Sequence, residues 1–141
     1  MPSALNDLIS IGSVCKTRYQ ISRYMKSHFQ DYKVKSYFFD WLMSGGVKGV
    51  VSIIERNFSM ESADISILER ADRYIPFDRL SGFIFLHDFG SQNCWWQNRV
   101  DCQEALNSSM DDSILKYKYL GVRTSELLAS ASNVGLVFYG N

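Results

Sequence analysis

The fold class of this chain is decided by the stretch Gly82-Phe83-Ile84-Phe85-Leu86-His87-Asp88-Phe89. The stretch is rich in aromatic and β-branched residues and is bounded by Ser81-Gly82 and Gly90-Ser91, a pattern that predicts a buried strand. Two further apolar runs, Leu8–Ile11 and Gly135–Tyr139, have the same character. Because each run is continuously apolar instead of alternating, we expect the strands to be covered on both faces, as in an at least partly parallel sheet.

Helical periodicity occupies the segments between these strands. Residues 15–29 predict a helix whose apolar face carries Ile21, Tyr24, Met25 and His28. A second helix is predicted from Asp40 or Trp41 to Asn57, bent near Gly45-Gly46. Its apolar stripe consists of Val47, Val50, Val51 and Ile54.

Two later helices are predicted over Cys94–Leu106 and Asp111–Ala131, while residues 62–68 are ambiguous. Asp111 and Asp112 suit the first turn of the later helix, because carboxylates there interact favourably with the helix dipole. Strands separated by helices predict an α/β fold, a three-layer arrangement in which helices flank an at least partly parallel sheet.

Composition favours a single folded domain over residues 1–141. The chain is 46% hydrophobic and 14% aromatic and contains only two prolines, so neither disorder nor a linker is expected. The chain closes on a strand, which fits either a terminus close to the natural one or a C-terminally truncated member of a longer family.

The N-terminus resembles neither a signal peptide nor a membrane anchor, and the three cysteines are irregularly spaced. These features predict a cytoplasmic protein without membrane contact. The pI of about 6.7 and the absence of a basic stripe disfavour nucleic-acid binding. Residues 1–60 carry eight Lys/Arg against four Asp/Glu, and residues 61–141 carry seven against eleven. This asymmetry fits two oppositely charged surfaces on one domain better than it fits a basic site for an anionic ligand.

Cys15 is the candidate nucleophile. It follows Gly12-Ser13 at the junction between a strand and a helix, where the helix dipole and unpaired backbone N–H groups stabilise a thiolate. The same N–H groups, from Gly12 and Ser13, are candidates for binding an oxyanion or another anion. The alternative is that Cys15 is a packed apolar residue, as Cys94 and Cys102 are expected to be.

A cysteine nucleophile needs an imidazole, and the chain has two histidines. His28 fits a packing or capping role in the first helix, whereas His87 lies at a strand end, where α/β domains place their chemistry. Asp40 is the preferred carboxylate to orient His87, since adjacent residues of a strand point to opposite faces and Asp88 would point away. Asp40 also fits an ordinary helix N-cap, and His87 also fits a packed histidine beside Asp88.

Three short boxes of the chain resemble a bacterial family of unknown function that is classified among the papain-like cysteine peptidases. They are Ile9–Cys15, Phe38–Leu42 and Phe85–Phe89, which are similar in order to the family's Ser-Leu-Gly-Ser-x-Cys, Pro-Phe-Asp-Trp and His-Asp-Phe motifs. Phe38 stands here in place of the family's proline and Ile11 in place of its leucine. The resemblance implies a Cys-His hydrolase and an alternative papain-like α+β fold, against which the strand before Cys15 argues.

Three function classes follow from these observations. The first is a cysteine hydrolase, such as a peptidase, amidase or acyl transferase, with Cys15, His87 and either Asp40 or Asp88 as its site. The second is a binding or sensing domain that holds an anion at Gly12-Ser13, and the third is a protein-interaction module built on the aromatic residues. The spacing of the Cys and His residues predicts no metal site, and no cofactor is implied.

Overall fold

A computed structural model describes residues 7–10, 16–33, 35–91, 95–130 and 134–137. The described chain contains three α-helices, one short 3₁₀ turn at Ser62–Asp64 and six strands. The helices are α1 (Lys16–His28), α2 (Gly46–Glu55) and α3 (Arg99–Ser130). The strands are β1 (Asp7–Ser10), β2 (Leu42–Met43), β3 (Ile65–Arg70), β4 (Arg73–Asp78), β5 (Ile84–Phe85) and β6 (Val134–Val137).

The fold is mixed α/β, but the main sheet is antiparallel. Its four strands follow the order β2-β5-β4-β3, and every adjacent pair runs antiparallel. The prediction of an at least partly parallel sheet is therefore wrong for the main sheet. A parallel pair is formed separately by β1 and β6, which are the two terminal strands that the apolar runs predicted. A three-layer arrangement and a papain-like architecture both stay predictions.

The hairpin of β3 and β4 was not predicted, although it forms the longest ladder of the sheet. Its two-residue turn, Ala71-Asp72, has φ values of 50° and 59°, as a type I′ turn requires. Pro76 is tolerated because its nitrogen points to the same side of β4 as the N–H groups of Tyr74 and Asp78. Those groups donate away from β3, to Trp96 and Phe83, so the proline removes no bond of the β3–β4 ladder.

Helix α3 spans residues that we predicted as two helices. The expected break falls at a polar stretch, where the hydroxyls of Ser108 and Ser109 instead donate to the carbonyl of Ala105 inside the helix. The buried face of α3 carries Tyr117, whose ring lies 5.2–5.8 Å from three phenylalanine rings of the core. These are Phe38, Phe85 and Phe89. The helix therefore joins the segments around residues 38 and 85–89 into one aromatic core.

Helices α1 and α2 both occur where the sequence predicts helices, but the length of α2 and the buried faces of both helices differ from the prediction. Residues 40–45 are not helical, since they contain a turn and strand β2, so the second helix is shorter than predicted. Its buried residues are Gly49, Val50 and Ile53, whereas Val47, Val51 and Ile54 of the predicted stripe are 45–59% exposed. In α1, Ile21 and Met25 are buried as expected, but Tyr24 and His28 are exposed.

Among the described residues, no helix combines the length and apolar character needed to cross a bilayer.

Candidate functional site

Three of the predicted site residues, Gly12, Ser13 and Cys15, lie outside the described residues. The elements on either side of them are as predicted, since β1 ends at Ser10 and α1 begins at Lys16. Asp40, His87 and Asp88 are described, and their surroundings distinguish the two carboxylates.

Pairing of β2 with β5 brings the segments of Asp40 and His87 together. Leu42 pairs with Phe85 and Met43 with Ile84 in an antiparallel register. Asp40 lies two residues before β2 and His87 lies two residues after β5, so the pairing brings their two segments to the same end of the β2–β5 ladder. Beyond the strand ends the two segments stay in contact, because the ring of Trp41 lies 5.2 Å from the His87 ring in an edge-on arrangement at 71°.

Asp40 is a fully buried carboxylate in a tight turn. Its Oδ2 accepts a hydrogen bond from the backbone N–H of Tyr37 at 2.8 Å, and its own N–H donates to the Tyr37 carbonyl at 3.3 Å. The alternative that Asp40 caps a helix is wrong, because the chain continues from this turn into β2. The turn fixes the position of the carboxylate through local bonds.

Asp88 is held by helix α3. Its Oδ1 accepts a hydrogen bond from Lys116 Nζ at 2.8 Å, and its Oδ2 accepts one from the Tyr117 hydroxyl at 2.9 Å. Both carboxylate oxygens thus face α3. Asp88 is therefore a poor candidate for orienting the imidazole.

The turn after His87 is anchored to the same helix by its backbone. The N–H of Phe89 donates to the Ser113 hydroxyl at 2.9 Å. Gly90 has a φ of 85°, and a Cβ there would lie 2.5 Å from the carbonyl carbon of Ala105. Only glycine combines this left-handed backbone with so close an approach to α3. These contacts end β5 after two residues, where a longer strand was predicted, and leave His87 exposed on a bend.

His28 and Cys102 have structural roles. The His28 ring stacks on Tyr24 at 4.1 Å and its Nδ1 lies 2.9 Å from the Tyr24 carbonyl near the end of α1, consistent with the predicted capping role. Cys102 is completely buried, and this burial raises the pKa of its thiol, with the nearby Arg99 charge opposing the shift. The prediction that Cys102 is a packing residue is confirmed. In the described parts of the chain, no three His, Cys, Asp or Glu side chains form a group suited to a metal ion.

Sequence reasoning missed the α3 residues that fix the His87 bend, namely Ser113, Lys116 and Tyr117. They lie more than 20 residues along the chain from His87. No local pattern marks such contacts, which arise only when α3 packs on the sheet. Trp41 belongs to one of the three boxes, so its contact with His87 joins two of these boxes in space.

Comparison with known proteins adds no relationship. No family model matches the chain, and no curated protein or solved structure matches it significantly.

Proposed function

We propose that this protein is a cysteine hydrolase that acts on a peptide, amide or other acyl substrate. In this proposal Cys15 is the nucleophile, His87 is the general base and acid, and Asp40 is the positioning residue for the imidazole. The resemblance of the three boxes to papain-like peptidases supports the same assignment.

The single observation that carries the proposal is the junction of β2 and β5. It joins the segment of a buried, locally fixed carboxylate, Asp40, to an exposed imidazole at the end of a strand, His87. The competing carboxylate, Asp88, is already bound to α3. A thiolate-based hydrolase needs an accessible imidazole and a carboxylate that orients it, and the pairing of β2 with β5 brings together the two segments that carry these groups.

The reaction follows from these roles. His87 takes the thiol proton, and the Cys15 thiolate attacks the substrate carbonyl carbon to form a tetrahedral oxyanion. Backbone N–H groups of Gly12-Ser13 stabilise that oxyanion. The imidazolium donates its proton to the leaving group as the acyl bond breaks, which leaves a thioester on Cys15. Water, deprotonated by His87, then attacks the thioester, releasing the carboxylic acid and restoring the thiol.

The test is the rate of Cys15 alkylation by iodoacetamide as a function of pH, followed by mass spectrometry of the modified peptide. In the wild type we expect Cys15 to react at about pH 5–6, well below the value of about 8.5 for an ordinary thiol. His87→Gln should move the onset to the range of an ordinary thiol, and Asp40→Asn should move it in the same direction.

Two internal controls accompany the measurement. His28→Gln removes the other histidine, which is also exposed, and should leave the Cys15 profile unchanged. Cys102 should stay unmodified in the folded protein because it is buried and its pKa is raised. A Cys15 profile like that of a free thiol, or one insensitive to His87→Gln, contradicts the hydrolase proposal.

A further inference from the structure

A groove of about 920 Å³ lies between the segment of residues 57–62 and helix α3, on residues that the proposed hydrolase site does not use. Phe58 and Met60 form its buried apolar side, with Leu115 and Val122 of α3 opposite them. Leu115 and Val122 are 66% and 53% exposed. Exposure of such apolar side chains to water is unfavourable, and a partner that covers them lowers the free energy.

Gly121 makes this groove possible. It lies on the buried face of α3, and a Cβ at this position would lie 2.8 Å from the Cβ of Phe58. Phe58 also has a left-handed backbone, with φ at 60°, which is uncommon for a bulky residue. The groove wall at Phe58 is therefore held against the helix and is shaped before any partner arrives.

The groove is acidic at its edges. Glu61, Asp111 and Glu126 line it and are exposed, against one basic lining residue, Lys118. Within the described residues, none of these three carboxylates forms an ion pair. The chemistry of the groove therefore suits an occupant that carries both apolar or aromatic groups and positive charge.

Helix α1 has the complementary chemistry. Its 13 residues include four Lys or Arg and no Asp or Glu. Tyr19 and Tyr24 are 62% and 47% exposed, and Arg23 and Lys26 are exposed beside them. Arg23 lies over the Tyr19 ring at 5.9 Å, so one face presents aromatic and cationic groups together. Tyrosine and arginine are enriched among residues that dominate interface binding energy.

We propose that helix α1 of a second copy of this chain binds in the groove of the first. Both surfaces are exposed in the part of one copy that the structure describes. Their lengths also agree, because Asp111 to Glu126 spans about 22 Å of α3 and the 13 residues of α1 span about 20 Å. Ile21 and Met25 of α1 are buried within their own copy, so the face that enters the groove is the exposed one, with its tyrosine rings against the apolar side chains and its cations against the carboxylates.

The contact joins two different surfaces, so each bound copy still presents one free helix and one free groove. Such head-to-tail contacts build rings or open chains instead of stopping at a dimer unless the two contacts close on each other. Association is therefore expected to grow with protein concentration and to weaken with salt, since screening lengths fall from about 10 Å at 0.1 M to about 3 Å at 1 M.

Sedimentation velocity of the wild type and of two charge-reversed variants, under reducing conditions, tests the proposal. The helix variant carries Arg23→Glu and Lys26→Glu, and the groove variant carries Asp111→Lys and Glu126→Lys. Each variant alone should associate about tenfold more weakly than the wild type or worse, because like charges then face each other. An equimolar mixture should associate again, since the unchanged helix of one variant fits the unchanged groove of the other.

Lys48→Glu and Glu104→Lys change charge at exposed positions outside both surfaces and should leave association unchanged. Circular dichroism melts establish that every variant is folded. A wild type that stays monomeric at all concentrations overturns the proposal. Folded charge-reversed variants that associate as the wild type does, or a mixture that stays monomeric, also overturn it.

Discussion

Replacing Asp88 by Asn separates structural anchoring from the orientation of His87. The Asp88 side chain is 11% exposed and receives a hydrogen bond from the buried Tyr117 hydroxyl and one from Lys116. A hydrogen bond to a charged, mostly buried group contributes about 1.5–3 kcal/mol. Lys116 is 43% exposed, so its ion pair adds only about 0–1 kcal/mol. We expect Asp88→Asn to lower the free energy of unfolding by about 2 kcal/mol.

Urea unfolding followed by circular dichroism measures this loss, with Tyr117→Phe and Lys116→Met as matched single changes. Tyr117→Phe should cost about 1.5–3 kcal/mol, because it removes the hydrogen bond to the charged carboxylate, whereas Lys116→Met should cost only about 0–1 kcal/mol, because that ion pair is half exposed. Under native conditions, Asp88→Asn should retain the reactivity of Cys15 at about pH 5, since Ser113 still holds the Phe89 backbone. Asp40→Asn should lose that reactivity.

The opposite pattern would refute this reasoning. If Asp88→Asn leaves the unfolding free energy unchanged but abolishes the reactivity of Cys15, then Asp88 orients His87 and its bonds to α3 are incidental.

Three further predictions concern stability and are also checked by urea unfolding. Gly90→Ala should cost about 2–4 kcal/mol, because it combines a left-handed backbone with overlap against helix α3, and a cost below about 1 kcal/mol would contradict the close approach. Ala71→Asn combined with Asp72→Gly should add about 1–2 kcal/mol, since both positions have positive φ; a loss would show that the turn differs. Arg56→Ala should cost about 3–5 kcal/mol by leaving the fully buried Asp78 carboxylate without its cation, and a neutral result would contradict that pair.

Residues 82–90 show why the sequence predicted the location of a strand but not its length. The apolar run correctly indicates a buried segment, and β5 lies within it. The bend at residues 86–88 and the positive φ of Phe89 accompany hydrogen bonds with α3, in which Phe89 N–H donates to Ser113 and Asp88 accepts from Lys116 and Tyr117. A phenylalanine in a left-handed conformation cannot be predicted from its side chain, because the packing of α3 imposes it.

Turn chemistry and ambiguous helix faces explain the other differences. The β3–β4 hairpin was missed because Ala71-Asp72 is not the Asn-Gly or Asp-Gly pair that usually marks a type I′ turn. The buried face of α2 was misassigned because apolar residues lie on both of its sides, so periodicity alone does not select Ile53 over Ile54.

The preference for Asp40 over Asp88 rested on the alternation of side chains along a strand through His87 and Asp88. The strand ends at Phe85 instead, and the hydrogen bonds that Asp88 accepts from Lys116 and Tyr117 of α3 are what separates the two carboxylates. The pairing of β2 with β5 and the contact of Trp41 with His87 bring two distant segments together, which no local pattern could predict.

The central claim is that the Cys15 thiol and the His87 imidazole are neighbours in the folded protein. Cross-linking with 1,3-dibromoacetone tests this directly, because the reagent first alkylates a reactive thiol and then bridges it to a nucleophile within reach of three carbons. We expect one propanone bridge between the peptides that contain Cys15 and His87, which is lost in His87→Gln and kept in His28→Gln. Alkylation of Cys15 without that bridge, or a bridge from Cys15 to another residue, would contradict the account.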